Sequence, residues 1–300
     1  MEINGIINLY KEKGMSSFSA VNQVRKIIGL KKAGHTGTLD PMAEGVLLIC
    51  LGKATRASGH IMSTQKEYRA RMLLGVSTDT YDLQGELLGI SPASGISEPD
   101  IRECIHTFIG RQMQYPPIYS AKKVKGKKLY DYALKDQSVE IQQNEIDIQS
   151  ILVMGIRDEL LEGIPVKAID FTVQCSKGTY IRSLCHDIGE KLGSHGTLAE
   201  LIRTRNGMFS SEDSCSIKDI EKAVADDTLD KMVIPVEDAL EMDRIVLDRD
   251  DSLRYERGLS VCRVKELPDR SYLVFNQDTA LLGIGCLDAQ GFLRSKRRLG

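Results

Sequence analysis

The stretch Gly34-His35-Thr36-Gly37-Thr38-Leu39-Asp40-Pro41-Met42-Ala43-Glu44-Gly45 is the part of this chain from which fold and chemistry are best inferred. Its three glycines permit sharp turns and a close approach of the backbone. Pro41 fixes its own φ angle and moves Asp40 out of the α region. The loop therefore presents one carboxylate in one direction, which is typical of a nucleophile or base acting on a bulky substrate. The alternative is a tight surface loop in which Asp40 makes a turn hydrogen bond.

Outward from this loop, hydrophobic patterns predict the neighbouring helices and strands. Ser16 or Ser17 caps a helix that Gly29 ends, and the apolar run 46–51 is typical of a strand buried on both faces. Alternating apolar residues predict further strands, and apolar residues three and four apart predict helices. The predicted strands are residues 66–75, 141–153 and 166–175, and the predicted helices are residues 98–109, 179–192, 198–205 and 217–225. The last two strands should pair with each other, whereas the partner of the first is expected near residues 82–89.

Helices and strands are mixed without regular βαβ alternation. This arrangement predicts an α+β fold with a mixed, largely antiparallel central sheet flanked by helices. From about residue 244 the chain becomes short strands separated by turns, one of them at residues 261–264, which predicts a small β-rich C-terminal domain. We therefore expect a catalytic domain over residues 1–235 and a C-terminal domain over residues 236–300.

The composition is ordinary for a soluble globular protein, with 42% hydrophobic and 27% charged residues. No apolar run approaches the roughly 20 residues that span a bilayer, and residues 1–11 lack the pattern of a signal peptide. Seven cysteines are scattered without a Cys-x-x-Cys pair. Such cysteines favour a reducing cytoplasm and argue against a disulfide framework or a cysteine zinc site.

The distribution of charge is more informative than the net charge of −2. Residues 122–128 carry five lysines, and residues 294–298 carry four cations. Basic clusters on a nearly neutral chain are able to follow a phosphate backbone, which makes nucleic acid a candidate partner. Each cluster alone is more often a solvated surface than a binding site.

Three further stretches carry groups suited to chemistry. The first is Lys66-Glu67-Tyr68, where the phenol is either core or a group that stacks on a base or transfers a proton. The second, residues 175–184, includes Tyr180 and Arg182 at a strand–helix junction, where an arginine can pair with a carboxylate and keep it ionised. The third, residues 198–205, offers an apolar wall and two cations that suit a nucleotide site.

Other catalytic classes lack their motifs. The chain has no Gly-x-x-x-x-Gly-Lys phosphate loop, no Gly-x-Ser-x-Gly and no His-Glu-x-x-His. Its five histidines show no metal-ligand spacing. We therefore predict neither a metal site nor a cofactor.

The motifs together closely resemble those of the TruB family of pseudouridine synthases. The central loop is followed by Gly52-Lys53-Ala54-Thr55, and the other matching motifs come in the family's order and spacing. These motifs are Lys66-Glu67-Tyr68, Thr78-Asp79-Thr80-Tyr81-Asp82, Pro116-Pro117-Ile118-Tyr119-Ser120-Ala121-Lys122 and Lys177-Gly178-Thr179-Tyr180-Ile181-Arg182. The last 55 or so residues resemble the PUA-type RNA-binding module of bacterial members. The chain departs from the usual family pattern at Glu12, Ile202 and Ser295.

The resemblance implies a pseudouridine synthase fold and the conversion of one uridine in the T loop of tRNA, position 55, to pseudouridine. This isomerisation needs no cofactor, and tRNA would be the only partner of a monomeric cytoplasmic enzyme. The resemblance also implies an RNA-gripping insertion around residues 112–150. Three alternatives remain open: an RNA-binding or RNA-chaperone protein, a synthase acting on another RNA, and, more distantly, a carboxylate-dependent glycoside hydrolase.

The resemblance assigns roles to individual residues. Asp40 would be the nucleophile, and three routes stay open for it: attack on the sugar carbon, attack on the base, or assistance of elimination to a glycal. Arg182 would keep Asp40 ionised, and Tyr68 would stack on the uracil near its C5 proton. The residues implied in substrate binding are His35, which would hold the flipped nucleotide, together with Lys11, Thr38, Tyr68, Tyr180 and Leu201.

Overall fold

The computed structural model describes residues 3–61, 65–135, 137–262 and 270–299. In these ranges the helices are α1 (Ser17–Ile28), α2 (Ser58–Ile61), α3 (Glu98–His106), α4 (Leu129–Ala133), α5 (Ile181–Lys191), α6 (Ile217–Ala225) and α7 (Arg249–Glu256). Short 3₁₀ helices cover Gly52–Arg56 and Leu229–Lys231.

The strands of the N-terminal two thirds of the chain are β1 (Gly5–Lys11), β2 (Ala33–His35), β3 (Glu44–Leu51), β4 (Lys66–Leu74), β5 (Val76–Thr78), β6 (Leu87–Ile90), β7 (Gly110–Gln114), β8 (Lys123–Val124), β9 (Lys127–Lys128), β10 (Asn144–Leu161), β11 (Ile164–Cys175), β12 (Gly196–Asn206) and β13 (Phe209–Ser210). The remaining strands are β14 (Arg244–Leu247), β15 (Val261–Cys262), β16 (Ser271–Asn276), β17 (Leu281–Leu287) and β18 (Phe292–Arg298). The rest of the predicted strand 261–264 lies outside the described residues.

A nine-stranded sheet forms the centre of the molecule. Its main path runs β1-β3-β12-β4-β11-β10-β7, with β2 joined to β3 and β13 joined to β12. The pairs are antiparallel except β12 with β3, which are parallel. The predicted α+β fold with a mixed, largely antiparallel sheet is therefore confirmed, and so is the pairing of the two strands in residues 141–175.

Helix α1 shows how local sequence signals set the ends of an element beside the central loop. The Ser16 side chain accepts a hydrogen bond from the Ser19 N–H at the N-terminus. Gly29, with φ 74°, adopts the left-handed conformation that ends the helix. Ala20, Val21 and Val24 face the core. The helix therefore lies against the sheet with its first turn next to the loop that carries Asp40.

Two hydrophobic cores lie on opposite faces of β3. Leu47, Ile49 and Leu51 belong to the first core, which the helices cover. Alternate side chains of the same strand belong to the second core, namely Val46, Leu48 and Cys50. A strand buried on both faces must be apolar throughout, which explains the continuous run at residues 46–51.

The C-terminal strands form a separate five-stranded sheet in the order β14-β16-β17-β18-β15. Its inner side contributes Leu273, Phe275 and Ile284 to the second core. The C-terminal sheet therefore packs directly on the outer face of β3. Helix α7, which lies between β14 and β15, was not predicted because its sequence carries too few apolar residues to form a stripe.

Two predictions about secondary structure were wrong. Residues 198–205 form part of strand β12 rather than a helix. A bulge between Leu198 and Glu200 inserts an extra residue, so Leu198 and Leu201 are both buried although they are three residues apart. Strand β4 pairs with β11 and β12 rather than with residues 82–89. Among the described residues, no helix is long and apolar enough to cross a lipid bilayer.

Candidate active site

Asp40 opens onto a cavity of about 420 Å³ at the end of the central sheet. Five segments meet there. They are the loop 34–45 that carries Asp40, called the catalytic loop below, the start of β4, the middle of β12, the beginning of α5 and the segment 120–122. The lining residues are Gly37, Thr38, Leu39, Asp40, Lys66, Tyr68, Ser120, Ala121, Lys122, Asn144, Gly178, Thr179, Tyr180, Ile181, Arg182, Leu201 and Arg203. A larger cavity of about 690 Å³ lies beyond Lys66, but neither Asp40 nor Arg182 lines it. We therefore place the candidate chemistry in the smaller cavity.

Hydrogen bonds from neighbouring elements hold the Asp40 loop in place. Ser17 at the start of α1 donates its hydroxyl to the Leu39 carbonyl at 2.9 Å and accepts the Leu39 N–H at 2.8 Å. The Pro41 carbonyl accepts the Gly14 N–H at 2.7 Å. Both residues that flank Asp40 are therefore tied to the N-terminal segment, which directs the carboxylate toward the cavity.

Arg182 is the partner of Asp40. Its Nε donates to Asp40 Oδ2 at 2.9 Å, its Nη1 to the Thr80 carbonyl at 2.9 Å, and its Nη2 to the Tyr119 carbonyl at 3.0 Å. The Arg182 side chain is 5% exposed and that of Asp40 is 33% exposed. The guanidinium is thus fixed by three elements, while part of the carboxylate stays open to the cavity.

Asp82 is a second carboxylate at this site that the sequence reasoning quoted but did not assign. Its Oδ2 lies 3.6 Å from Arg182 Nε, and its side chain is 7% exposed. Its Oδ1 accepts hydrogen bonds from the Thr80 hydroxyl at 2.8 Å and the Gln84 N–H at 2.9 Å. The signal was its place in the 78–82 motif, because an aspartate in a turn can hold an arginine distant in sequence.

The loop that carries Asp82 is held by an aromatic contact. Tyr81 has a positive φ of 62° and stacks on His186 of α5, with ring centroids 4.1 Å apart and planes 7° from parallel. A left-handed backbone at a bulky residue is unusual and needs compensating contacts. The stack ties this loop to the same helix that carries Arg182.

Two phenols line the cavity beside the carboxylate, the buried Tyr68 and the half-buried Tyr180. Burial raises the pKa of Tyr68, which is 7% exposed, and burial also raises the pKa of Tyr180. Both hydroxyls are therefore protonated at neutral pH. Gln114 holds the Tyr180 backbone, because its Oε1 accepts the Tyr180 N–H at 2.8 Å and its Nε2 donates to the Tyr180 carbonyl at 3.0 Å. The rings offer flat surfaces for a base, and their hydroxyls offer protons.

The cavity has more cations than acids. Lys66, Lys122, Arg182 and Arg203 line it, against one carboxylate, that of Asp40. Burial and, to a smaller extent, the nearby Arg203 cation lower the pKa of Lys66 to about 8. This balance favours an anionic ligand such as a nucleotide of a polynucleotide chain.

Five of the predicted site residues besides Asp40 line the cavity, namely Thr38, Tyr68, Tyr180, Arg182 and Leu201. Two do not. Lys11 is fully buried and donates its Nζ to the backbone carbonyls of Met15 at 2.6 Å and Glu12 at 3.0 Å. His35 lies on β2 before the loop, where burial and the Arg203 cation lower its pKa. The structure thus makes Lys11 a support of the N-terminal turn rather than a wall of the cavity.

In the described ranges, no three His, Cys, Asp or Glu side chains come together as a metal centre requires. The site therefore consists of a directed carboxylate with a fixed arginine, two neutral phenols, an apolar wall and surplus positive charge. Flat aromatic surfaces and cations of this kind suit a nucleotide as ligand.

Comparisons with known proteins specify the class further. Residues 25–181 match the family model for the TruB family pseudouridylate synthase N-terminal domain, and residues 182–241 match that for the tRNA pseudouridylate synthase B C-terminal domain. The tRNA pseudouridine synthase B of Clostridium tetani is 42% identical over 295 residues, which cover 97% of this chain and 98% of that protein. The Geobacillus kaustophilus protein of the same name is 42% identical over 239 residues, or 79% of this chain and 83% of that one.

Solved structures agree with this result at the level of the fold. A chain from the crystal structure of a Cbf5-Nop10-Gar1 complex matches with a TM-score of 0.71 and 26% identity, covering 99% of this chain and 85% of that one. A chain of the archaeal box H/ACA sRNP Nop10-Cbf5 complex matches with a TM-score of 0.72 and 23% identity, covering 99% and 86%. The chain belongs to the TruB family of pseudouridylate synthases. The family expected from the motifs is therefore confirmed.

Proposed function

We propose that this chain is an isomerase that converts the uridine at position 55, in the T loop of tRNA, to pseudouridine. The observation that carries the proposal is the pairing of Asp40 with Arg182 at 2.9 Å inside a cationic cavity. Relatives that are about 40% identical over nearly the whole chain are named tRNA pseudouridine synthase B. The family and the chemistry of the site therefore support the same reaction.

Asp40 acts on the sugar. As the bond between N1 of uracil and C1′ of the ribose breaks, positive charge develops at C1′, and a carboxylate stabilises or traps it. Arg182 binds Oδ2, which fixes the direction of the carboxylate and leaves Oδ1 as the oxygen that faces the cavity. The uracil turns, C5 bonds to C1′, and the proton on C5 leaves while N1 gains one, so the atoms balance and no cofactor is consumed.

Tyr68 stacks on the uracil near C5, and Tyr180 and Leu201 complete the pocket around it. All three line the cavity beside Asp40, together with the exposed Thr38. Drawing the nucleotide out of the folded loop costs a few kcal/mol, which stacking on the aromatic rings offsets. His35, on the strand that leads into the catalytic loop, contacts the RNA beside the extruded nucleotide.

The rest of the chain grips the RNA. Residues 1–235 form the catalytic domain, and the segment 112–150 with its lysine cluster holds the phosphates near the cavity. Residues 236–300 form a PUA-like module whose basic strand β18 (Phe292–Arg298) binds the backbone without reading bases. The protein works on tRNA as a monomer. Its free cysteines suit the reducing cytoplasm.

The test is pseudouridine formation on an unmodified tRNA transcript by the purified protein. We expect wild type to turn over, and Asp40→Asn to lose activity while its Kd for tRNA stays within about threefold, because the substitution removes the nucleophile and preserves the shape. Asp158→Asn is the matched control, since that carboxylate is 80% exposed on the distant β10–β11 hairpin. Substantial turnover by Asp40→Asn would remove Asp40 from its role, and binding without turnover by wild type would indicate an RNA-binding protein.

A further inference from the structure

Arg203 is the largest fully buried side chain of the described protein, with 1% of its surface exposed. It lies in the middle of β12, where its Cα is paired with Gly45 on one side and Tyr68 on the other. Both neighbours belong to the active site, since Gly45 ends the catalytic loop and Tyr68 lines the cavity. The guanidinium therefore lies beneath the reacting groups.

The hydrogen bonds of Arg203 reach both ends of the catalytic loop. Its Nε donates to the Val46 carbonyl at 2.7 Å, and its Nη2 donates to the Gly37 carbonyl at 3.1 Å. Asp40 lies between these two residues in the sequence. One rigid, planar group thus sets the separation of the two ends of the loop, and with it the position of the carboxylate.

The surroundings of Arg203 are unusual for a buried cation. Among the described residues no carboxylate lies within 4 Å of its guanidinium, so its acceptors are neutral oxygen atoms. Burying a cation without a counter-ion costs several kcal/mol. An apolar side chain of similar volume would fill the same space without this cost. A cation buried at such a cost beside Asp40 and Tyr68 points to a role in the reaction rather than in stability.

We propose that Arg203 is a positioning residue for the isomerisation: it clamps Gly37 and Val46 at the two ends of the catalytic loop and orients the hydroxyl of Tyr68. The positive charge of Arg203 counteracts the rise that burial causes in the pKa of that phenol. Arg203 thereby makes the Tyr68 hydroxyl a better proton donor than burial alone would leave it. The inference rests on the proposed reaction.

The experiment compares Arg203→Lys and Arg203→Met with wild type in single-turnover pseudouridine formation at saturating enzyme. The lysine keeps the charge but reaches only one carbonyl, and the methionine fills the space without charge. We expect the rate of the bound complex to fall about 100-fold in either variant, since a shift of about 1 Å in a reacting group costs that much. The Kd for tRNA should stay within about threefold, because Arg203 is 1% exposed at the cavity wall and its hydrogen bonds go to the Gly37 and Val46 carbonyls rather than to the ligand.

Arg102→Lys is the matched control, because Arg102 lies on α3 outside the cavity and its side chain is 43% exposed; its rate should stay within about twofold of wild type. Melting curves establish that each variant is folded at the assay temperature, and the methionine variant, which buries no charge, serves if the lysine variant does not fold. In a Tyr68→Phe background the loss caused by Arg203→Lys should shrink, because one of its targets is gone.

Rates within threefold of wild type in a folded Arg203 variant would overturn the proposal. An equally large loss in the Tyr68→Phe background would overturn the part that concerns Tyr68. Absence of pseudouridine formation by wild type would instead refute the proposed function, so the two failures are distinguishable.

Discussion

Replacing Arg182 with lysine tests whether the geometry of the guanidinium, rather than its charge, holds Asp40 in its active position. The arginine serves three acceptors with three different nitrogen atoms: the Asp40 carboxylate and the carbonyls of Thr80 and Tyr119. These acceptors belong to three separate segments of the chain. A lysine carries one ammonium group on a shorter chain, so it can serve only one of these places at a time.

The expected magnitude follows from the acceptors that lose their donor. A buried carbonyl left without a partner costs about 1–3 kcal/mol, and Thr80 and Tyr119 are only half-buried. Taking about 1 kcal/mol for each, we expect Arg182→Lys to lower the free energy of unfolding by about 2 kcal/mol, or the Tm by about 4–8 °C. The rate of pseudouridine formation should fall at least about 100-fold, because Asp40 is no longer held in the direction of the sugar.

The assay combines a thermal melt with single-turnover pseudouridine formation on tRNA. Arg102→Lys is the control: Arg102 pairs with Glu98 at 2.6 Å, but the two side chains are 43% and 53% exposed. The same substitution there should change stability by less than about 1 kcal/mol and leave the rate unchanged. If Arg182→Lys kept the wild-type rate, charge alone would suffice and the reasoning from geometry would be wrong.

Three further substitutions test other parts of the structure. Gly45→Ala should destabilise the fold by about 1–3 kcal/mol and reduce turnover, because Gly45 has φ 102° and a methyl group there would overlap the carbonyl oxygen of Arg203. Denaturant unfolding and the tRNA assay check this. Burial lowers the pKa of Lys66 to about 8. Above that pH the unfolded chain binds more protons than the folded chain, so the free energy of unfolding rises with pH. Lys66→Met should remove about 1 kcal/mol of this rise between about pH 8 and 9.5, as measured by urea unfolding across that range. Phe275→Ala, at a residue 6% exposed in the second core, should lose about 3–5 kcal/mol of unfolding free energy, against less than about 1 for Phe292→Ala at 39% exposure.

The features that were predictable from the sequence are those that depend on a few neighbouring residues. The glycines and Pro41 around Asp40 specify a turn whatever surrounds it, and the end of α1 at Gly29 follows from one residue type. Alternation over many residues was enough for the long pair β10 and β11. These features depend on the nearest neighbours in the chain, which a sequence displays directly.

The parts that were missed depend on contacts between distant segments. Asp82 meets Arg182 across 100 positions, and Arg203 reaches the Gly37 carbonyl across 166. An arginine is ordinarily a surface residue, so nothing local marked Arg203 as buried. The bulge in β12 places two buried side chains, Leu198 and Leu201, three residues apart, which is the spacing typical of a helix. Such features are properties of the assembled sheet.

Strand β3 links chemistry to architecture because it starts four residues after Asp40 and has one face in each core. Opening either core exposes one apolar face of this strand to water. The C-terminal sheet is therefore part of the same cooperative folding unit as the loop that carries Asp40 rather than an attachment on a tether. A change that loosens the C-terminal sheet is expected to lower the stability of that loop as well.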